Sequence, residues 1–142
     1  MGCDQSTYCR CLYYSANALA RILTRMGEEE FAPVGLPPSY AFLLMNINAH
    51  PGITPTEVSH HMMLAPSTVT RFVEKMEDAG YLRRKREGKE IHIFPTSKSR
   101  RLDPKIKSCW RALHDRYVKL LGKEASARLT ADVFEAALAL EP

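Results

Sequence analysis

The stretch GITPTEVSHHMMLAPSTVTRFVEKMEDAG, residues 52–80, constrains the fold more than any other part of this chain. It opens on three agreeing helix-start signals. Thr54 can cap, Pro55 suits the first helical position, and Glu57 can reach back to close a capping box. The short helix ends near Met63, Leu64-Ala65-Pro66 breaks it, and a second helix follows that Gly80 terminates. Val69, Phe72, Val73 and Met76 give this second helix one apolar face. Ser67, Thr68, Thr70, Arg71, Glu74 and Lys75 fill the opposite face. The apolar face must be buried on other helices, which turns the polar-basic one outward.

The next stretch, YLRRKREGKEIHIF at residues 81–94, changes period. Two short β patterns, Tyr81 to Arg86 and Glu90 to Pro95, flank Glu87-Gly88, where glycine can supply the positive φ of a tight hairpin. Arg83, Arg84, Lys85, Arg86 and Lys89 stand there against Glu87 and Glu90, and Lys98, Arg100 and Arg101 follow. The whole chain carries a net charge of +4, a mild excess that suits an anionic partner. A short basic run fits nuclear targeting and nucleic-acid binding equally well. Behind a helix, a tight break and a second helix, it has a strand–turn–strand role instead.

The remaining segments are helical. Leu12, Ala16, Leu19, Leu23 and Met26 form one amphipathic stripe, which Gly27 ends or the following EEEF carries on to Ala32. Pro37-Pro38 opens YAFLLMNINA, apolar on nearly every side and therefore expected in the core, and HPG at 50–52 stops it. Residues 98–121 place Ile106, Trp110, Leu113, Tyr117, Leu120 and Leu121 at helical spacing, with Pro104 a kink or a delayed start. Gly122 separates a last helix striped by Leu129, Val133, Ala136 and Leu140. At 142 residues and 45% hydrophobic, the chain has the size and core of a single domain. The fold class is mainly α with a small β-hairpin wing, a winged helix-turn-helix.

Several function classes drop out. There is no glycine-rich phosphate loop, no His-Glu-x-x-His and no recognisable serine, histidine and acid set, so the chain does not read as an enzyme. No apolar run approaches the roughly 20 residues that span a bilayer. The N-terminus lacks a signal pattern, so the chain reads as cytoplasmic. Cys3, Cys9, Cys11 and Cys109 are then expected as thiols. Cys3, Cys9 and Cys11 lack a second Cys-x-x-Cys, and Glu57-x-x-His60 with His61 lacks a second motif of its kind, so neither metal nor cofactor is expected.

From about Leu12 to its end the chain resembles the MarR (multiple antibiotic resistance regulator) family of dimeric bacterial regulators. The residues that carry the resemblance are the block GITPTEVSHHMMLAPSTVTRFVEKMEDAGYLRRK, the flanking SYAFLLMNINAHPG and two long C-terminal helices. It implies a sequence-specific DNA-binding transcriptional regulator, a repressor released by a small-molecule or oxidative effector. It also implies a homodimer on a pseudo-palindromic double-stranded operator. Residues 38–97 would form the DNA-binding lobe, with dimerisation helices at 8–32 and 98–140. Ser67, Thr68, Thr70 and Arg71 match the base-facing start of the recognition helix, Lys75 approaches the backbone, and Arg83, Lys85, Arg86 and Lys89 are wing contacts. Arg84 is expected to point the other way from Arg83 and Lys85.

The family's wing carries Asp-x-Arg, five residues, then Leu-Thr-x-x-Gly. Glu87-Gly88-Lys89, five residues, Pro95-Thr96 and Ser99 keep that spacing here. Lys89 cannot form a bidentate fork, so this wing is expected to grip backbone more than it reads bases. Family members bind small aromatic or anionic effectors between the dimer helices and the lobe, which makes Tyr13, Met45, Trp110 and Tyr117 candidate pocket residues. CRCLYYSANALAR resembles the start of the hydroperoxide-sensing branch, with Cys11 at the sensing position, Cys9 two residues earlier and Cys109 in a dimer-forming helix. The alternative is a winged-helix protein-interaction module without DNA binding. A basic wing beside a polar-basic recognition helix argues for DNA, because such a module needs neither.

Overall fold

The computed structural model describes residues 4 and 7–141. Along the chain, α1 spans Leu12–Phe31, a single 3-10 turn covers Ala32–Val34, α2 spans Pro38–Ala49, α3 Pro55–Met62 and α4 Pro66–Asp78. Strands β1 (Leu82–Glu87) and β2 (Glu90–Pro95) follow, then α5 (Ser97–Leu121) and α6 (Lys123–Leu140). The strands pair antiparallel from Leu82 opposite Pro95 to Glu87 opposite Glu90, around a Gly88–Lys89 turn with Gly88 at φ +63°. This is the expected mainly helical fold with a two-stranded wing, and β1 begins one residue later than the sequence pattern suggested.

The core sits where α2, α3, α4, the hairpin and the first half of α5 meet. Leu43, Leu44 and Ile47 of α2, Val58 of α3, Val69 and Val73 of α4, Ile93 of β2 and Ile106 of α5 are all buried there. Each such side chain contributes about 1.5–3 kcal/mol of transfer free energy. Phe72 is only half-buried and packs its ring on Tyr40, with centroids 4.5 Å apart.

The α3 start forms as read: Glu57 N–H donates to Thr54 Oγ1 at 3.2 Å, and Thr54 N–H donates to Glu57 Oε2 at 2.9 Å. Those bonds hold the Glu57 carboxyl below its ordinary value, with the backbone bond from Thr54 the largest cause. Met63 ends α3 in the left-handed region, at φ 52°. Gly80, at φ +85°, then turns the chain from α4 into β1.

Three helix boundaries differ from the sequence pattern or resolve it. The first helix begins at Leu12 rather than residue 8, because residues 7–10 form a turn closed by Cys11 N–H donating to Tyr8 O at 2.9 Å. It then continues through Gly27, which is buried; a Cβ there would lie 3.4 Å from Pro38 Cγ, so glycine serves a close helix approach rather than a stop. Helix α5 begins at Ser97, with Thr96 as its cap, and carries Pro104 inside it, so no delayed start occurs. Its first turns are fastened to α2 instead. Buried Ser99 Oγ donates to Asn48 Oδ1 at 3.0 Å, and Asn48 Nδ2 donates to Ser99 O at 3.3 Å and Asp103 Oδ1 at 3.2 Å.

Away from that core, α1, α5 and α6 border an apolar groove lined by Leu19, Leu23, Tyr117, Leu129, Val133 and Phe134. Val133 and Phe134 are more than half exposed, so the stripes do not bury each other within one chain. Among the described residues no helix is long and apolar enough to cross a membrane. Replacing Thr54 with Ala should lower unfolding free energy by about 1 kcal/mol, read by urea titration. An unchanged midpoint would show that the α3 cap contributes nothing.

Candidate nucleic-acid interface

Helix α4 starts with Ala65 at its cap position, Pro66 in the first turn, and no side-chain cap. Burial of Val69, Val73 and Met76 fixes its rotation about its own axis. Ser67, Arg71 and Lys75 follow at i, i+4 and i+8, so they form one outward row, and all three are exposed. Thr68 is half-buried, and exposed Thr70 donates its hydroxyl to Pro66 O at 3.1 Å, leaving its oxygen lone pairs outward as acceptors. Lys75 Nζ lies 5.2 Å from the Tyr40 ring centroid, a cation–π contact that leans it toward the start of α2.

The hairpin stands beside this helix and is held on both faces. Register puts Arg83, Lys85 and Glu87 on the side of Phe94, His92 and Glu90, and Leu82, Arg84 and Arg86 on the other. On the first side, Arg83 stacks over Phe94 at 5.6 Å, Lys85 pairs with Glu87 at 3.5 Å, and His92 Nδ1 donates to Gly52 O at 2.8 Å. That carbonyl only accepts, so Nδ1 carries hydrogen and Nε2 faces Glu90 at 3.4 Å and Glu87 at 3.8 Å. Backbone bonds from Gly52 N to Ile93 O and from Ile93 N to Ile53 O add a short third edge to the sheet.

On the opposite side Arg84 turns to α4, as its strand phase predicted. Its Nε and Nη2 donate to Glu77 Oε1 at 3.2 and 2.9 Å, and its main-chain N–H donates to Glu77 Oε2 at 2.9 Å. The side-chain bond from Arg84 holds the Glu77 carboxyl below its ordinary value, and the same bond raises the guanidinium above its own. Arg86, whose Nε donates to Gly88 O at 3.4 Å, and Lys89 in the turn sit exposed at the wing's tip. At the corner between helix and hairpin, Lys98 Nζ donates to Ala79 O at 2.7 Å and covers the Tyr81 ring at 4.3 Å. Sequence reasoning missed the Glu77–Arg84 contact, although the two residues flank Gly80 closely enough to meet once the chain reverses there.

The candidate effector residues separate into three places. Met45 and Trp110 line one cavity of about 640 Å³ with Phe42, Met62, His61 and Lys107, at the junction of α2, α3 and α5. Tyr117 belongs to the α1–α5–α6 groove, and Tyr13 lies with Tyr14, Asn17 and Arg21 on α1. In the cavity Lys107 is paired with Asp103 at 2.8 Å, and His61 Nδ1 meets Asn46 Oδ1 at 3.1 Å. Asn46 Nδ2 is buried and has no partner among the described residues.

The cysteines need one correction. Cys9 is disulfide-bonded, whereas all four were expected as thiols. That expectation came from compartment, and a disulfide is decided by whether two sulfurs meet in space. Cys11 is an exposed thiol at the α1 N-cap, Cys109 is buried, and Cys3 lies outside the described residues. No group of three His, Cys, Asp or Glu side chains is placed to hold a metal among the described residues.

A capped helix, a tight turn, a second helix with an exposed polar-basic row and a basic hairpin define a winged helix-turn-helix. Residues 36–88 match the model of the MarR family. No curated protein matches the chain. Among solved structures it is similar to the transcriptional repressor CouR bound to a 23-mer DNA duplex, at 22% identity and TM-score 0.81, covering 90% of this chain and 93% of that one. It is similar also to CouR from Rhodococcus jostii RHA1 bound to p-coumaroyl-CoA, at 19% identity and TM-score 0.78, covering 92% and 94%. A mutant MarR from E. coli complexed with operator DNA matches at 14% identity and TM-score 0.80, covering 92% and 98%. At these identities the likeness is one of fold.

Burial raises the Cys109 thiol above its ordinary value, so it stays protonated to higher pH and offers less thiolate near neutrality. Iodoacetamide at pH 8 should therefore modify Cys11 well before Cys109, as read by peptide mass spectrometry. Equal rates would contradict the burial.

Proposed function

We propose that the chain is a sequence-specific DNA-binding transcriptional regulator that works as a homodimer and represses until an effector releases it. One observation carries this reading: the exposed row of Ser67, Arg71 and Lys75 on α4 lies on the same lobe as a basic hairpin. In a major groove, Arg71 can donate two hydrogen bonds to guanine O6 and N7, and Ser67, Thr68 and Thr70 can meet base edges or phosphates. Lys75, Arg83, Lys85, Arg86 and Lys89 supply point charges for the phosphate backbone. The match to the MarR family model and the DNA duplexes held by similarly folded proteins support this assignment.

A second copy is the natural cover for the apolar groove of α1, α5 and α6, and two-fold symmetry would then set two recognition helices against a pseudo-palindromic site. An aromatic effector fits the Phe42, Met45, Met62 and Trp110 walls, with Lys107 and His61 at hand for an anionic group. Occupying that junction would change the spacing of lobe and dimer helices. Cys11, exposed at the start of α1, remains the candidate for an oxidative route.

Arg71→Ala should weaken binding to a selected duplex by about 1–3 kcal/mol and relax sequence preference at one position, while Lys85→Ala should weaken selected and random duplexes alike. Filter-binding or anisotropy titrations decide this, and equal affinity of the wild type for both duplexes would sink the regulator reading. Trp110 is the only tryptophan, so an aromatic acid such as benzoate entering the cavity should quench its fluorescence. Met45→Trp would fill the same space; because it adds a second indole, its effect is read by calorimetry as a fall in benzoate heat. Undiminished heat places the ligand elsewhere.

A further inference from the structure

We propose that Glu77 and Arg84 form a strut that fixes the pitch of the wing against the recognition helix, making both positioning residues for DNA binding. The proposal rests on the DNA-binding reading above. Glu77 lies in the last turn of α4, and the chain reverses at Gly80 to bring Arg84 of β1 back beside it. Both carboxylate oxygens are used: Oε2 takes the Arg84 main-chain N–H at 2.9 Å, and Oε1 takes Nε and Nη2 at 3.2 and 2.9 Å. Glu74, one turn earlier on α4, adds a weaker contact to Nη1 at 3.8 Å.

An isolated surface ion pair of two long side chains contributes little. This contact differs because it ties backbone as well as side chain, and because two N–H groups of the planar guanidinium fork converge on one carboxylate oxygen with charge-assisted bonds. The Arg84 N–H points away from β2 and would otherwise be an open strand edge. Glu77 thus closes that edge and sets the angle at which Arg83, Lys85, Arg86 and Lys89 leave the lobe. Arg84, the basic wing residue expected to point apart from Arg83 and Lys85, is committed to this fastening rather than to phosphate.

A carboxylate beside a DNA-binding helix is unfavourable by charge alone. If only net charge mattered, Glu77→Gln would strengthen DNA binding and Arg84→Lys would leave it unchanged. The strut predicts the opposite sign for the first and weaker binding for the second, since lysine keeps the charge but not the fork.

The test uses a duplex that the wild-type protein selects from a random-sequence library, with anisotropy titrations over a range of salt. Glu77→Gln and Arg84→Lys should each bind it roughly tenfold more weakly, with a salt slope shallower by about 0.9 for every phosphate that the wing no longer reaches. Their thermal unfolding should stay cooperative, and amide exchange at Arg84 should be slow in the wild type and fast in Glu77→Gln. Glu77→Gln binding as tightly as wild type, or more so, overturns the strut. If that variant does not fold, wild-type affinity and slope in Arg84→Lys overturn it equally. Fast exchange at Arg84 in the wild type overturns it without any DNA. Selection of no duplex by the wild type defeats the DNA-binding reading instead, and the exchange data still judge the strut.

Discussion

Everything in the lobe depends on the burial of one line of side chains, Val69, Val73 and Met76, against α2 and the hairpin. Their removal from water fixes how α4 is rotated. Because an α-helix has 3.6 residues per turn, that rotation places Ser67, Arg71 and Lys75 on the outside. No separate force is needed to present the polar-basic row. The same burial brings Gly80 and β1 to the end of α4, where Glu77 can take hold of Arg84.

A second dependence runs along α5. Its first turn is capped by Thr96, whose hydroxyl also donates to Gly80 O at 2.7 Å, so the helix starts from the corner of α4 and the wing. Asn48, Ser99 and Asp103 then lock it to α2 through bonds that a low-dielectric setting strengthens. Its far end reaches the apolar groove with Tyr117 and Leu121. One rigid helix thus joins the candidate DNA-facing lobe to the surface that a second copy would cover. The Trp110 cavity opens beside it at the joint, where an inserted ring would press on both.

The legible parts of the chain were those governed by local rules. The Thr54–Glu57 capping box, the Leu64–Pro66 break before α4, the Gly80 reversal and the strand alternation that sets Arg84 apart all follow from backbone stereochemistry within a few residues. Gly27 and Pro104 left alternatives open in the sequence because their local tendency is to stop or bend a helix. Close packing on Pro38 gives Gly27 another use, and fastening to Asn48 holds the turns around Pro104 in place. The split of Tyr13, Met45, Trp110 and Tyr117 among three sites could not be read from spacing, because it depends on how α1, α2, α3, α5 and α6 are arranged in space. The Cys9 disulfide was hidden for a related reason: cysteine count and compartment do not say which sulfurs meet.

The sequence by itself determined a winged helix-turn-helix with a basic wing, since helix caps, an apolar face and a two-residue turn are encoded in neighbouring residues. Only the tertiary structure decided which charges are available. Arg71 and Arg84 carry the same group, yet Arg71 stands exposed while Arg84 is held by Glu77. That difference arises because a charge's partner is set by distance through space, and chain reversal at Gly80 brings together two residues that a continuous helix would hold about two turns apart.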